Sequence, residues 1–555
     1  MTASTPYTAH SDLFAQLNLP PVETQPEYLF DLPELQFPER LNCAVELLDK
    51  AVSERGWGER IAIRGERESL TYRALLERAN RIARVLIEDM KLVPGNRVLL
   101  RSANNPMLAA CWFAVIKAGG IVVTTLPMLR SQELADVISK AQISHALCDQ
   151  RLVAELDAAR ARCPMLVQVR TFNGDGDCLN KPESLEFLLE TKSPAFTNVD
   201  TACDDTCLIA FTSGTTGQPK GTMHFHRDVM AICTCFPLST LKAEGHDVFC
   251  GTPPLGFTFG LGGQLLFPLS IGASTVLHEK MTPERLLQLI EDYRVSVVFA
   301  APTFYRMMMS RVETKGAMGG KGANLSSLRK CVSAGEVLPA STRESWQKLT
   351  GIRLIDGIGS TEMLHIFISA DEDHARAGAT GKPIPGYIAC VFDEGGNHVP
   401  QGQIGRLAVK GPTGCRYLAD ERQRQYVQNG WNITGDAYLI DAEGYFVYQG
   451  RTDDMIISAG CNISGPEVED VLLSHPGVAE AGVVGVSDAE RGQIVKAFIV
   501  LREGAVPNLA LVEQLQDYVK ERVAPFKYPR QIKFVDHLPR TETGKLQRFK
   551  LRQDR

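Results

Sequence analysis

Apolar residues recur at helical spacing from Leu70 to Met90, which predicts an amphipathic helix. A Pro94–Gly95 turn follows, then a short apolar run, Val98 to Leu100, that reads as a buried strand. The alternation repeats. Met107 to Ala118 reads as a helix stopped by Gly119–Gly120, Ile121 to Thr125 as a strand, Ser131 to Ala141 as a helix and His145 to Cys148 as a strand. Further on, Leu286 to Tyr293 is helical in pattern and Val295 to Ala300 strand-like, whereas Glu313 to Ser327, ETKGAMGGKGANLSS, has the composition of a loop. This order predicts an α/β chain built on helix-covered parallel sheets. After Gly450 the character changes. A helix over Val468 to Ser474, strands over Ala481 to Val486 and Val495 to Leu501, and a helix over Leu509 to Arg522 describe a small α+β unit. No internal repeat is visible.

The run from Val248 to Leu277 carries no charge and is long enough to span a bilayer. It also holds Pro253, Pro254, Gly256, Gly260, Gly262, Gly263, Gln264 and Pro268, which are poor in a lipid-facing helix. It reads instead as a buried wall around an apolar pocket, so no membrane association is expected. At 555 residues, with 44% hydrophobic and 22% charged positions, the chain suits a multi-domain globular protein. A net charge of -6 gives no reason to expect a nucleic-acid partner. The start, MTASTPYTAHSDLF, lacks the pattern of a signal peptide and the end, KLRQDR, matches no anchor, so a cytoplasmic location is expected. The 14 cysteines have no metal-ligand spacing and read as small apolar core residues.

The chemistry concentrates after the apolar run Cys207 to Ala210. Phe211 to Thr222 reads FTSGTTGQPKGT. Gly214, Gly217 and Gly221 allow close backbone approach. Thr212, Ser213, Thr215 and Thr216 supply hydroxyl donors, and Lys220 supplies positive charge, a set suited to a polyphosphate. The spacing is not that of a Walker A loop. Gly357-Ile-Gly359-Ser-Thr-Glu362 also fails as a Rossmann fingerprint, because glutamate stands where the third glycine belongs.

TSGTTGQPKG resembles the signature of the adenylate-forming superfamily of acyl-CoA synthetases, luciferases and peptide-synthetase adenylation domains, and further matches extend over essentially the whole chain. The resemblance implies a large N-terminal adenylation domain, residues 1–452, and a small mobile C-terminal domain, residues 453–555. It assigns ATP or AMP contacts to Thr212, Ser213, Gly214, Thr215, Thr216, Gly217 and Lys220, and to Ser333, Ala334, Gly335 and Glu336 (SAGE) on the adenine side. Asp356, Gly357 and Ile358 join this set, with Ile358 standing where the family carries tyrosine. So do Asp436 in WNITGD, for the ribose hydroxyls, Tyr448 and Arg451. Thr361 is implied at the α-phosphate, and Glu362 as the magnesium-holding carboxylate. Lys545, in PRTETGK, matches the catalytic lysine, Asp453 in GRTDDMII the hinge, and Gly460 in SAGCNISGPEVE the tunnel for coenzyme A.

Within the superfamily, DGIGSTEMLHIF resembles the benzoate-CoA ligase subgroup, and GFTFGLG with the opening FDLPELQFPERLN resembles its 2-aminobenzoate members. This implies an acyl pocket of Phe257, Thr258, Phe259, Gly260, Tyr305, Gly359, His365 and Ile366. It also implies ATP, Mg²⁺, coenzyme A and a small aromatic acid as partners. No aspartate lies between Val248 and Leu277 to meet an α-ammonium group, which disfavours an amino-acid substrate. Other aryl or medium-chain acids, a carrier-protein acceptor and an inactive sensor homologue stay open, as does the choice between monomer and homodimer.

Overall fold

The computed structural model describes residues 7–174, 181–212, 219–317, 323–452, 454–458, 461–488, 491–540 and 546–553. Four sheets organise them. The largest has nine strands in spatial order 382–383, 366–369, 354–359, 330–334, 297–300, 248–251, 274–276, 61–64 and 69–71. Its six central strands run parallel, and antiparallel strands close both edges. A six-stranded sheet, ordered 168–172, 145–149, 97–101, 121–125, 206–212 and 220–225, is parallel except for its last pair. A five-stranded antiparallel sheet lies within 388–451. The fourth sheet lies within 456–534 and has its own apolar clusters, one around Ile456, Val468, Val483 and Ile499 and one around Val484, Phe498 and Leu538.

Local chemistry explains the helix starts. Thr71 caps the helix Tyr72–Arg84 by accepting from Ala74 N, and Asn105 caps Pro106–Lys117 with proline at its first position. Thr282 does the same for Pro283–Tyr293 and Ser464 for Gly465–Leu473. The strand Ile121–Thr125 and the helix Ser131–Ala141 fall where the pattern predicts.

Two stretches differ from expectation or sharpen it. The helix that begins at Pro302 runs to Ala317, into the predicted loop. Glu313 and Lys315 are good helix formers, and one internal glycine, Gly316, costs only about 1 kcal/mol. The uncharged run folds as the strand Val248–Gly251, the helix Thr258–Leu261, a π-helical turn Gly262–Leu266, the helix Phe267–Ser270 and the strand Ser274–Val276. From Gly260 to Leu269 it is entirely buried. Among the described residues no helix is long and apolar enough to cross a membrane.

The parallel strands of the large sheet all present their carboxyl ends to one edge. The segments that follow them, Thr252–Phe257, Ala301–Thr303, Gly335–Glu336 and Ser360–Glu362, therefore gather there, as ligand-binding segments of open α/β sheets do. Side chains of the C-terminal unit reach the same region. Asp470 accepts from Ala340 N, 2.9 Å away, at the start of the helix Ala340–Thr350, and Arg540 Nη1 lies 3.7 Å from Glu336 Oε1.

Candidate active site

The hairpin formed by Thr206–Thr212 and Lys220–Phe225 sets Thr212 opposite Lys220, at the mouth of the glycine- and hydroxyl-rich turn. Ser213, Gly214, Thr215, Thr216 and Gly217 lie outside the described residues, as do Asp453, Gly460 and Lys545. Beside this hairpin runs the segment 416–418. Met223 N donates to Arg416 O and Leu418 N to Gly221 O, both at 2.8 Å. Lys220 Nζ stands 5.4 Å from the centre of the Tyr417 ring. The Tyr417 hydroxyl donates to Glu362 Oε1. Burial, reinforced by the Glu362 charge, raises the Tyr417 pKa far above its ordinary value, so the hydroxyl remains a donor.

Ser360, Thr361 and Glu362 follow the strand Leu354–Gly359. The Thr361 carbonyl faces His224 Nε2 at 2.9 Å, and Ser360 Oγ lies 3.3 Å from the Tyr426 hydroxyl. His224 Nδ1 is 3.7 Å from Asp228, and Asp228 accepts from Arg416 Nη1 at 2.6 Å. Burial alone would push Asp228 up, but Arg416, then His224, hold its carboxyl well below the usual range.

On the adjoining strands, Ser333 pairs with Asp356 and Ala334 with Gly357. Ser333 Oγ and Asp356 Oδ1 are buried without a hydrogen-bond partner among the described residues. Burial outweighs the attraction of Arg343 and pushes Asp356 up to about 7. Gly335 has φ +88°, with open space where a Cβ would stand, and so turns the chain out of the sheet. Glu336 then accepts from Thr303 Oγ1 at 2.6 Å. Asp436 and Arg451 are partners across an antiparallel pair, Oδ1 to Nη1 at 3.2 Å, and Tyr448 packs edge-on against Tyr438 at 5.4 Å.

The acyl candidates separate into two groups. His365 is 3% exposed, with the rings of Phe267 at 4.5 Å, Phe236 and Phe259 at 5.7 Å and Phe299 at 6.3 Å. Burial pulls its pKa down to about 3, only partly offset by the Phe259 backbone, so the imidazole is neutral. Neither ring nitrogen has a hydrogen-bond partner of ordinary geometry among the described residues. Phe257 precedes the helix Thr258–Leu261, whose Gly260 leaves no room for a Cβ against Pro254 O. A Cβ at Gly359 would also crowd the His365 backbone, at 2.7 Å, and Ile366 packs on Gly357. Tyr305 departs from expectation. It is buried on the opposite face of the large sheet, edge-on to Trp346 at 4.8 Å, with its hydroxyl donating to Val298 O and Val332 O. Successive strand residues point to opposite faces, so Val298 shares the Tyr305 cluster while Phe299 shares that of His365.

Sequence reading missed His224, Asp228, Arg416, Tyr417, Tyr426, Phe236, Phe267 and Phe299. They lie far along the chain from the motifs they touch, 137 residues for His224–Thr361 and 55 for Tyr417–Glu362, and no spacing rule connects them.

A glycine- and hydroxyl-rich hairpin beside a carboxylate-bearing strand end, with a small C-terminal unit leaning on the same edge, defines the adenylate-forming fold. The chain belongs to the AMP-binding enzyme family, whose model matches residues 49–417, with the AMP-binding enzyme C-terminal domain matching 467–545. It is 35% identical over 524 residues to the benzoate–CoA ligase of Thauera aromatica, covering 94% of this chain and 97% of that protein. It is 32% identical over 520 residues to the 4-hydroxybenzoate–CoA/benzoate–CoA ligase of Rhodopseudomonas palustris, covering 92% and 94%. Among solved structures, the anthranilate CoA ligase AuaEII in complex with anthranoyl-AMP superposes with a TM-score of 0.88 at 32% identity, over 94% of this chain and 98% of that one. A benzoate CoA ligase from Burkholderia xenovorans gives 0.81 at 32% identity, over 92% and 100%.

Proposed function

We propose that the protein is an AMP-forming ligase that activates a small aromatic acid, 2-aminobenzoate or benzoate, as its acyl-adenylate and passes the acyl group to coenzyme A. The observation that carries this reading is the buried set of aromatic rings around His365. Phenylalanine rings favour a flat apolar ligand, and a neutral imidazole with no ordinary hydrogen-bond partner for either nitrogen among the described residues offers one donor and one acceptor. The ligases of aromatic acids among its relatives support the same substrate class.

In the first half-reaction the acid's carboxylate oxygen attacks the α-phosphorus of ATP and pyrophosphate leaves. The hydroxyls and backbone N–H groups of Thr212–Gly217, with Lys220, bind the phosphates, and Lys545 and Thr361 stabilise the charge that gathers on the α-phosphate. Asp436 holds the ribose, and Ser333–Glu336 with Asp356–Ile358 border the adenine. The residues fit Mg²⁺: Glu362 Oε1 is taken by Tyr417, while Oε2 has no partner among the described residues, and one carboxylate plus substrate phosphates is the usual magnesium arrangement. The ion supplies charge neutralisation on the phosphates when bound. In the second half-reaction residues 453–555 turn about Asp453, withdrawing Lys545 and bringing Gly460 to line the thiol's path. The coenzyme A thiolate then attacks the adenylate carbonyl and AMP leaves. The test is exchange of labelled pyrophosphate into ATP with 2-aminobenzoate or benzoate. Exchange that needs the acid but not coenzyme A is expected, and exchange indifferent to the acid overturns the reading.

A further inference from the structure

Three consecutive residues at the strand end are each gripped by a polar group from elsewhere in the fold, buried for Tyr417 and His224 and half-buried for Tyr426. The Tyr426 hydroxyl meets Ser360 Oγ, His224 Nε2 meets the Thr361 carbonyl, and the Tyr417 hydroxyl meets Glu362 Oε1. The two tyrosines pack edge to face, 5.8 Å apart at 70°, so their hydroxyls are fixed relative to one another. Tyr417 is 1% exposed, and its backbone is stitched to the strand that carries Lys220, through a bridge to Thr222 and the bonds of its neighbours Arg416 and Leu418. Arg416 is itself locked by Asp228 and by stacking on Phe225, 3.7 Å from the ring centre. The position of Glu362 is thus slaved to that of the phosphate-binding hairpin.

We propose that Tyr417 is a positioning residue for nucleotide-bound magnesium: by occupying Glu362 Oε1 from the segment stitched to the phosphate hairpin, it holds Oε2 toward the metal and couples metal binding to nucleotide binding. This rests on the reading of Glu362 as the metal-holding carboxylate. A glutamate has three rotatable side-chain bonds, and without the phenol its carboxylate is free to leave that geometry. Tyr417→Phe keeps the ring, its packing and its contact with Lys220, and removes only the donor.

The experiment measures, by calorimetry, the Kd of the non-hydrolysable analogue α,β-methylene-ATP with Mg²⁺ and with EDTA. The ratio of the two reports the metal's contribution, whereas a merely structural defect weakens both alike. In Tyr417→Phe the ratio is expected to fall by about tenfold, the scale of a hydrogen bond to a charged group, with the metal-free Kd unchanged. Glu362→Gln is expected to lower the ratio as well, and adding Tyr417→Phe to it to lower it no further. An unchanged ratio in Tyr417→Phe beside a lowered one in Glu362→Gln overturns the role of Tyr417 alone, as do additive losses in the double variant. An unchanged ratio in Glu362→Gln overturns the reading of Glu362 and this inference with it. Should Tyr417→Phe not fold, Glu362→Asp replaces it: the shorter arm keeps the charge but draws the carboxylate away from the Tyr417 hydroxyl, so the same ratio is expected to fall, and an unchanged ratio overturns the grip.

Discussion

Gly262→Ala probes the aromatic box by adding a single methyl group. A Cβ at Gly262 would stand 2.4 Å from His365 Cδ2, 2.8 Å from Nε2 and 3.1 Å from Phe267 Cζ. Carbon contacts are comfortable at about 3.5–4.0 Å, so the imidazole must retreat by roughly 1 Å. Its way is closed by Phe236, Phe259, Phe267 and Phe299. Overpacking of this kind costs about 1–3 kcal/mol, against a gain of about 1 kcal/mol from replacing a helical glycine. The net expectation is a loss of about 0–2 kcal/mol in denaturant unfolding. Function is the sharper readout. With His365 and the rings around it displaced, KM for benzoate or 2-aminobenzoate in pyrophosphate exchange is expected to rise by about tenfold or more, equivalent to about 1.4 kcal/mol or more, while KM for ATP stays constant. A stabilised variant with an unaltered KM for the acid would show that the ring has room and does not border the substrate.

Three further expectations follow from the buried charges and the lysine motif. Asp356, raised to about 7 against about 3.9 in an unfolded chain, keeps a proton on folding that the unfolded chain gives up; wild-type stability therefore drains as pH rises between these values, and Asp356→Asn is expected to gain on wild type in melting scans from pH 5 to 8, with parallel slopes refuting the assignment. Arg416→Ala strips buried Asp228 of its guanidinium partner, leaving only the Phe225 N–H and His224 beside it, and is expected to cost about 3–5 kcal/mol at pH 7, measured by urea unfolding. With Arg416 present the Asp228 pKa is depressed, so its contribution fades as pH falls below about 4; without Arg416 burial pushes that pKa up, so the cost of the substitution also keeps growing as pH rises above about 4. Lys545→Ala is expected to lower the rate of pyrophosphate exchange by about 10²–10³-fold, and normal exchange would remove the lysine from adenylation.

The elements were legible where local signals agree. Ile121–Thr125 and Ser131–Ala141 carry periodicity, a stop or cap and a turn in the same few residues, and the structure follows them to the residue. The uncharged Val248–Leu277 run was legible as a buried wall because its prolines and glycines forbid a long helix, though not as a π-helical turn. Local rules failed where distance along the chain matters. Phe236, Phe299 and His365 meet only because three separate elements converge. Tyr305 left the predicted pocket because helix phase, which a motif does not encode, turns it to the other face of the sheet. The hydroxyl grip on Ser360 and Glu362 had no sequence signal at all, since tyrosines 417 and 426 read as ordinary core aromatics until their partners are seen.

The most direct single test of the proposed activity is AMP release with ATP, Mg²⁺ and coenzyme A across benzoate, 2-aminobenzoate, 2-hydroxybenzoate, 4-hydroxybenzoate, cinnamate and octanoate. Turnover confined to the benzoates, led by benzoate or 2-aminobenzoate, is expected if the mutually packed rings of Phe259, Phe299 and His365 border the acid. Preference for octanoate or cinnamate would contradict it, because it would show that those three rings do not limit the acid to a single short ring.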